Sequence, residues 1–399
     1  MCVRWSSRAR VRPIVGACVG AALLAAAACS SGGNSKAGSD DTSTTVPAKG
    51  TTLVFSGQGN DLGVYDAESP FTKQIAIHHN DAAHPAGLDI NGQICFDPRN
   101  PNRFVAGEDT RRDTTGHPGW GILQITDTTV GQLNVKEVGK LVPTYQPSND
   151  NPENYGCGFL DDGRIVTTDV GNQASGPGDG QFIVWFPPFE SRTVKYCKVD
   201  VHLATGQGAL VDSDSVYVSQ GRPPRAGVYR YDVKDLPTSS TPSGGCDGKD
   251  ATGASLATHV MSTLFIAPSS KNTLATPAGI AKGPDGHFYI ASVYNGVIAE
   301  FNADGTFVRD VLKPPAGEML GEKPFSTGTP SGVGVAPDGS VYYADIGIVV
   351  TPGGVGPGDG TGKVRRIAFD ASGTPQAPDV MDEGLAFPDG IGIWSAPGS

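Results

Sequence analysis

From Thr52 onward, short apolar runs of strand length alternate with tight polar turns, and the alternation repeats. Three segments align without gaps: "ENYGCGFLDDGRIVTTD", "ATPAGIAKGPDGHFYIAS" and "GTPSGVGVAPDGSVYYAD". In each, a glycine (Gly156, Gly279 or Gly332) opens a short apolar strand. A tight DG turn and a second strand rich in Val, Ile and Tyr follow, ending at Asp169, Ser292 or Asp345. Asp-Gly pairs suit such turns because glycine, and to a lesser extent aspartate, tolerates positive φ.

Two looser copies are "ATGQGALVDSDSVYVSQ" and "HPAGLDINGQICFDPRNPNRFVAGE", the latter with an insertion at the turn. Third strands follow each copy ("GWGILQIT", "QFIVWF", "AGVYRYDV", "GVIAEFN", "GKVRRIAFD"), and fourth strands such as "TVKYCKVDV" and "TFVRDVL" complete most units. Recurring four-strand units that must pack on neighbours to bury both faces predict an all-β propeller. Near the N-terminus "TTLVFSGQGN", "LGVYDAE" and "KQIAIHH" supply strands two to four of a unit without its first strand, whereas "FPDGIGIWS" at the C-terminus is a lone first strand. The ends complement each other, which predicts six blades over residues 51–397, the divided blade closed by the C-terminal strand so that no sheet edge is left at the seam. Two separate β-sandwiches fit the strand count but leave that complementarity unexplained.

In a propeller the connection between strands two and three shares a face with the entry into strand one. The long polar connections "GEDTRRDTTGHPGW", "TDVGNQASGPGDGQ", "SQGRPPRAG" and "DIGIVVTPGGVGPGDGTGK" all fall there, so that face is the expected functional one. The repeat also picks out one residue per blade at the end of strand two: Gln58, Glu108, Asp169, Gln220, Ser292 and Asp345. Three carboxylates in such a ring repel unless protonated or neutralised. Calcium suits Glu108, Asp169 and Asp345 with the neutral oxygens of Gln58 and Gln220, while a water-filled channel with separately hydrated ends is the plainer reading. His84 and His117, with Asp169, are candidate proton acceptors, and ordinary loop hydrogen bonding is the alternative for both histidines. Arg111, Arg112, Arg222 and Arg225 are candidate substrate contacts by virtue of their planar donors, or else partners of local acids such as Asp109 and Asp113.

Charge and processing signals place the domain outside the cytoplasm. Arg4, Arg8, Arg10 and Arg12 precede the apolar run "PIVGACVGAALLAAAACSS", an export-signal order expected to occupy residues 1–28. "LLAAAACSSGG" resembles a bacterial lipoprotein signal, which implies lipid on Cys29 and anchoring to the outer face of the membrane; ordinary secretion is the other reading. Residues 29–50 have almost no apolar content and are expected to form a flexible tether. Without the four signal arginines the net charge of −11 becomes −15, which disfavours nucleic acid as a partner. Cys95, Cys157, Cys197 and Cys246 favour one or two disulfides of undetermined pairing.

Neither a complete GxxxxGK[ST] loop nor a GxSxG nucleophile elbow is present, so no nucleotide cofactor or serine hydrolase is indicated. The repeat "P[AS]GhxxxPDGxhYhA" at 277–291 and 330–344 resembles the six-bladed calcium-dependent lactonases that include gluconolactonases and paraoxonases, and also the wider NHL-repeat group. The resemblance implies a divalent cation at the channel mouth and hydrolysis of a lactone or small ester. Asp389 in "FPDGIGIW" matches that family's inner-strand aspartate, whereas Ala278 and Ser331 stand at the same place in other copies. The NHL likeness implies instead a non-catalytic module whose long loops bind a glycan, peptide or surface protein.

Overall fold

The computed structural model describes residues 51–109, 118–146, 153–171, 178–191 and 193–396. Six antiparallel four-strand blades follow one another, and the seam lies where the sequence put it. Blade one consists of Gly390–Ser395, Thr52–Gln58, Asp61–Asp66 and Lys73–Ile77. Its seam register runs from Thr52 opposite Ser395 to Gly57 opposite Gly390. The inner strands of blades two to six are Ile90–Asp97, Asn154–Phe159, Gly206–Asp212, Pro277–Lys282 and Pro330–Val335. Their second strands are Asn100–Glu108, Ile165–Asp169, Ser215–Gln220, Phe288–Ser292 and Val341–Asp345.

The repeated glycine exists because the blades converge. A methyl built on Gly92, Gly156, Gly208, Gly279, Gly332 or Gly390 would lie within 3.0 Å of the backbone of the next blade's inner strand. Gly92 abuts Asn154, Gly156 abuts Gln207, Gly208 abuts Ala278, Gly279 abuts Ser331, Gly332 abuts Asp389 and Gly390 returns to Gly92. The contacts form a closed cycle. In the second copy Gly92 takes this place, not the glycine of "HPAG": Gly87 sits in the preceding loop, its N–H donating to the His84 carbonyl. Overpacking typically costs about 1–3 kcal/mol, and backbone cannot rotate away as a side chain can. Gly279→Ala, whose new methyl would meet only backbone, is therefore expected to lose at least that much in denaturant unfolding. A variant as stable as the parent would refute the close-packed hub.

Between blades, apolar side chains from facing sheets interdigitate. Leu53, Phe55, Phe104 and Trp394 share one buried cluster between blades one and two, and Cys157, Trp185, Trp120 and Ile183 another between blades two and three. Cys95–Cys157 joins the inner strands of blades two and three, and Cys197–Cys246 ties the outer strand of blade three to an insertion from blade four. That insertion adds the short strands Gly248–Lys249 and Ser255–Leu256 to the edge of blade three, where Asp250 pairs with the fully buried Lys198. Two disulfides are compatible with an extracytoplasmic protein.

Candidate metal centre

Every strand-two terminal position read from the repeat is the last residue of its strand: Gln58, Glu108, Asp169, Gln220, Ser292 and Asp345. Their side chains are taken up by their own blades. The Glu108 carboxylate accepts from Asp89 N at 3.2 Å, Gln220 Oε1 from Ala204 N at 2.9 Å, and Ser292 Oγ from Ala275 N and Thr276 N at 2.9 and 3.0 Å. Asp345 accepts from Thr329 N at 2.8 Å and Gly347 N at 3.0 Å, and pairs with Arg365 at 3.0 Å in a buried ion pair. Each of these four latches the chain entering its blade. Asp169 accepts from Gly171 N and Gln181 Nε2, both at 2.9 Å, and burial lifts its carboxyl to about 7. Gln58 accepts from the Tyr65 hydroxyl instead.

The other expected site residues are also placed. His84 Nδ1 lies 3.1 Å from Asp81 and its ring stacks on His78 at 4.1 Å. The Arg225 guanidinium pairs with Asp200 at 2.8 Å and lies over the Tyr229 ring, an anchor between blades three and four. Arg222 follows strand two of blade four, its N–H donating to the Ala204 carbonyl. Arg111, Arg112, His117 and Cys29 lie outside the described residues.

A different column of the repeat meets at the axis. The residue before each hub glycine is Asn91, Tyr155, Gln207, Ala278, Ser331 or Asp389, one per blade. Tyr155, from blade three, reaches across to Ser331 Oγ of blade six at 2.7 Å and to the Asp389 carbonyl of blade one at 2.6 Å. Gln93 spans blades two and four, binding both Ala209 N and Ala209 O. The channel is thus crossed by side chains, and its mouth is a pit.

Acids crowd this pit from two blades and from the lead-in to a third. Asp389 is 4% exposed and its Oδ2 accepts from Gly92 N at 2.9 Å; Asn91 Nδ2 donates to Asp109 Oδ2 at 2.6 Å. Burial, then the charges of Glu153, Asp389 and Asp89, push the Asp109 carboxyl well above the usual range. Burial and Asp389 push Glu153 up to about 8, and burial pushes Asp389 up to about 7 against the pull of its backbone donors. Among the described residues, Asn91 Oδ1, Asp109 Oδ1 and Asp389 Oδ1 are buried here without a hydrogen-bond partner, as is Gln207 Oε1 in the same column. Such atoms are costly unless something absent from the chain satisfies them. A set made only of carboxylate and amide oxygens fits a hard dication such as calcium.

Among the described residues, Glu108, Asp169 and Asp345 do not form a three-ligand group, and neither do the pit carboxylates at that spacing. The one group of three acids or histidines with all ligand atoms within 4.8 Å is Asp285, His287 and Glu300. It could hold a metal ion by spacing, but both Glu300 oxygens already have cationic or polar partners, His287 Nδ1 and Arg309 Nε, each at 2.6 Å. It also sits at the strand one to strand two turn of blade five, on the face opposite the pit.

No protein-family model matches the sequence, and no curated protein does. Among solved structures, a chain in a nidogen/laminin complex matches with 12% identity and a TM-score of 0.50, covering 86% of this chain and 98% of that one. Regucalcin, a calcium-binding protein of Agrobacterium tumefaciens, matches at 13% identity and TM-score 0.42, covering 75% of this chain and 83% of its own. A gluconolactonase of Xanthomonas campestris matches at 16% and 0.42, covering 71% and 75%. At these identities the likeness is one of fold.

Proposed function

We propose that the pit is a divalent-cation site and that the protein is an extracytoplasmic hydrolase of a lactone or small ester. The observation that carries this reading is the trio of buried, unpartnered oxygens on Asn91, Asp109 and Asp389. These three residues would hold the cation, with Glu153 beside them. A dication bound there would polarise an ester carbonyl. The chain's own part is to fix those oxygens on rigid inner strands, to exclude bulk water by the Tyr155 floor, and to accept a proton. Glu153, whose carboxyl burial and Asp389 raise to about 8, is the proposed general base, since it stands beside the three cation-holding residues and is not one of them. Arg111, Arg112 and His117 belong to the connection whose described ends are Asp109 and Pro118, and they are the proposed substrate contacts and alternative proton acceptor.

The anchor reading is compatible with this placement. Thr52 begins strand two of blade one at the end far from the mouth, so the described chain starts on the face opposite the pit and a tether to Cys29 would not cross the mouth as it enters the fold.

The test is a screen of the purified protein with small lactones and aryl esters, with and without calcium, alongside D389N and E153Q. Calcium-dependent turnover lost in both variants, with folding retained, is the expected result. Calcium uptake with no turnover, but with binding of a glycan or peptide, would replace the hydrolase by a recognition module. Turnover untouched by D389N would remove the pit from the reaction.

A further inference from the structure

Of the six residues that precede the hub glycines, five are small or carry an amide, hydroxyl or carboxylate, and one is aromatic. Because the hub glycines draw the inner strands together, a side chain the length of tyrosine extends from blade three to the far side of the ring. Tyr155 does so, only 8% exposed. Its phenol has one proton. The Asp389 carbonyl at 2.6 Å can only accept, so Tyr155 donates there, and Ser331 Oγ at 2.7 Å must donate to the phenol oxygen. With its proton given to one blade and its oxygen engaged by another, this hydroxyl is a brace and not a cation ligand.

What it braces is Asp389. That residue is held at three points: its N–H donates to the Gly57 carbonyl at 3.3 Å, its carbonyl accepts from Tyr155, and its Oδ2 accepts from Gly92 N at 2.9 Å. The three contacts fix the backbone on both sides of Asp389 and one carboxylate oxygen, with Tyr155 supplying the hold from across the axis, and so determine where the remaining oxygen, the unpartnered Oδ1, is aimed. A carboxylate aimed in advance loses less freedom on binding than one that must be ordered. Nothing in the three orphaned oxygens requires the floor of the pit to be a hydroxylated ring, since any apolar side chain of that size would fill the channel.

We propose that Tyr155 is a positioning residue for the cation pit, orienting Asp389 across the axis from the opposite blade; this rests on the cation reading above. The phenol transmits the geometry of blades three and six to a ligand on blade one, so cation binding at Asp389 is felt in strands that carry no ligand.

The test is calcium titration calorimetry on the purified protein, with Y155F, Y155M and S331A as variants and D389N as the control that removes the ligand. Y155F keeps the ring and Y155M keeps an apolar plug of similar length, and both lack the hydroxyl. Each is expected to weaken calcium binding about tenfold while its cation-free form still unfolds cooperatively. S331A leaves the bond from Tyr155 to Asp389 intact and is expected to lose stability with its affinity within about twofold of the parent. A role in packing alone predicts lower stability in all three and no change in affinity, and that pattern would overturn the proposal. Should neither Tyr155 variant fold, hydrogen exchange on the parent decides: calcium is expected to slow exchange in residues 330–335 as well as 389–392, and protection confined to 389–392 would overturn it. Absence of calcium uptake by the parent itself would instead defeat the cation reading, so the two failures are distinguishable.

Discussion

Deleting residues 386–399 is expected to abolish cooperative folding, not to trim a tail. The lost segment contains Gly390–Ser395, which pairs with Thr52 to Gly57 and carries Trp394 and Ile391, 1% and 3% exposed. Removing one large buried aromatic typically costs about 3–5 kcal/mol, while a whole domain is stable by only about 5–15 kcal/mol. The deletion also strips Gly390 from the hub, leaving Gly332 and Gly92 without the strand each packs on, and bares the edge of Thr52–Gln58 to association with other chains. Because Asp389 is removed too, the measurement belongs in chelator, where no cation contributes to either protein. Circular dichroism melts and size-exclusion chromatography should show a broad or missing transition and soluble aggregates. W394A, which keeps the strand, should unfold cooperatively about 3–5 kcal/mol less stably. A truncated protein that melts as sharply and as high as the parent would disprove closure by the terminal strand.

The fold was legible because its signals are local and repeated. Strand, DG turn and strand recur with a fixed spacing in three copies and more loosely in two others, and the six strand-two ends read from the repeat are the six observed. Side-chain direction was not legible in the same way. Successive residues of a strand point to opposite faces, and at a strand end the chain is already turning, so a position can be assigned to the mouth without its side chain being assigned to the axis. Glu108 and Asp345 therefore stand at the expected place and face their own lead-in loops, while Asp109, one residue on, enters the pit. The signal that finds the axis was present in "FPDG": reading the residue before the glycine through all copies gives Asn91, Tyr155, Gln207, Ala278, Ser331 and Asp389. The blade-two member, Asn91, was obscured because "HPAG" mimics the motif five residues ahead of the working Gly92. The blade-four insertion was invisible for a different reason. Its two short strands are stabilised by Cys197–Cys246 and by the Lys198–Asp250 pair, partners distant in sequence, and neither strand has an apolar pattern of its own.

The cation-free protein should become less stable as pH rises from about 4 to about 8, and calcium should remove that loss. Unfolded Asp and Glu titrate near 3.9 and 4.3. In the folded pit Asp389 is raised to about 7, Glu153 to about 8, and Asp109 well above the usual range, chiefly by burial. Between these limits the folded state binds more protons than the unfolded one, so the slope of unfolding free energy against pH is negative. Below about pH 4 the groups are protonated in both states and contribute no slope; above about 8 the full cost of buried, mutually repelling carboxylates is present. This is opposite to the usual carboxylate, whose depressed folded pKa makes acid destabilising, and Asp97, held low by Arg103 and Arg99, supplies that ordinary contribution here. A dication changes the sign because it prefers the ionised pit: binding should release protons near neutrality, tighten as pH rises, and add about 2.7 kcal/mol at a concentration one hundred times its Kd. Thermal melts of the parent and D389N across pH 4 to 9, in chelator and in calcium, read all of this at once. The parent in chelator should lose stability steadily towards alkaline pH. D389N, with one fewer charge to bury, should lose less, and calcium should stabilise only the parent, most strongly at the upper end. Equal pH profiles for parent and variant, or calcium stabilisation that is independent of pH, would mean that Asp389 is not part of a coupled acid pit.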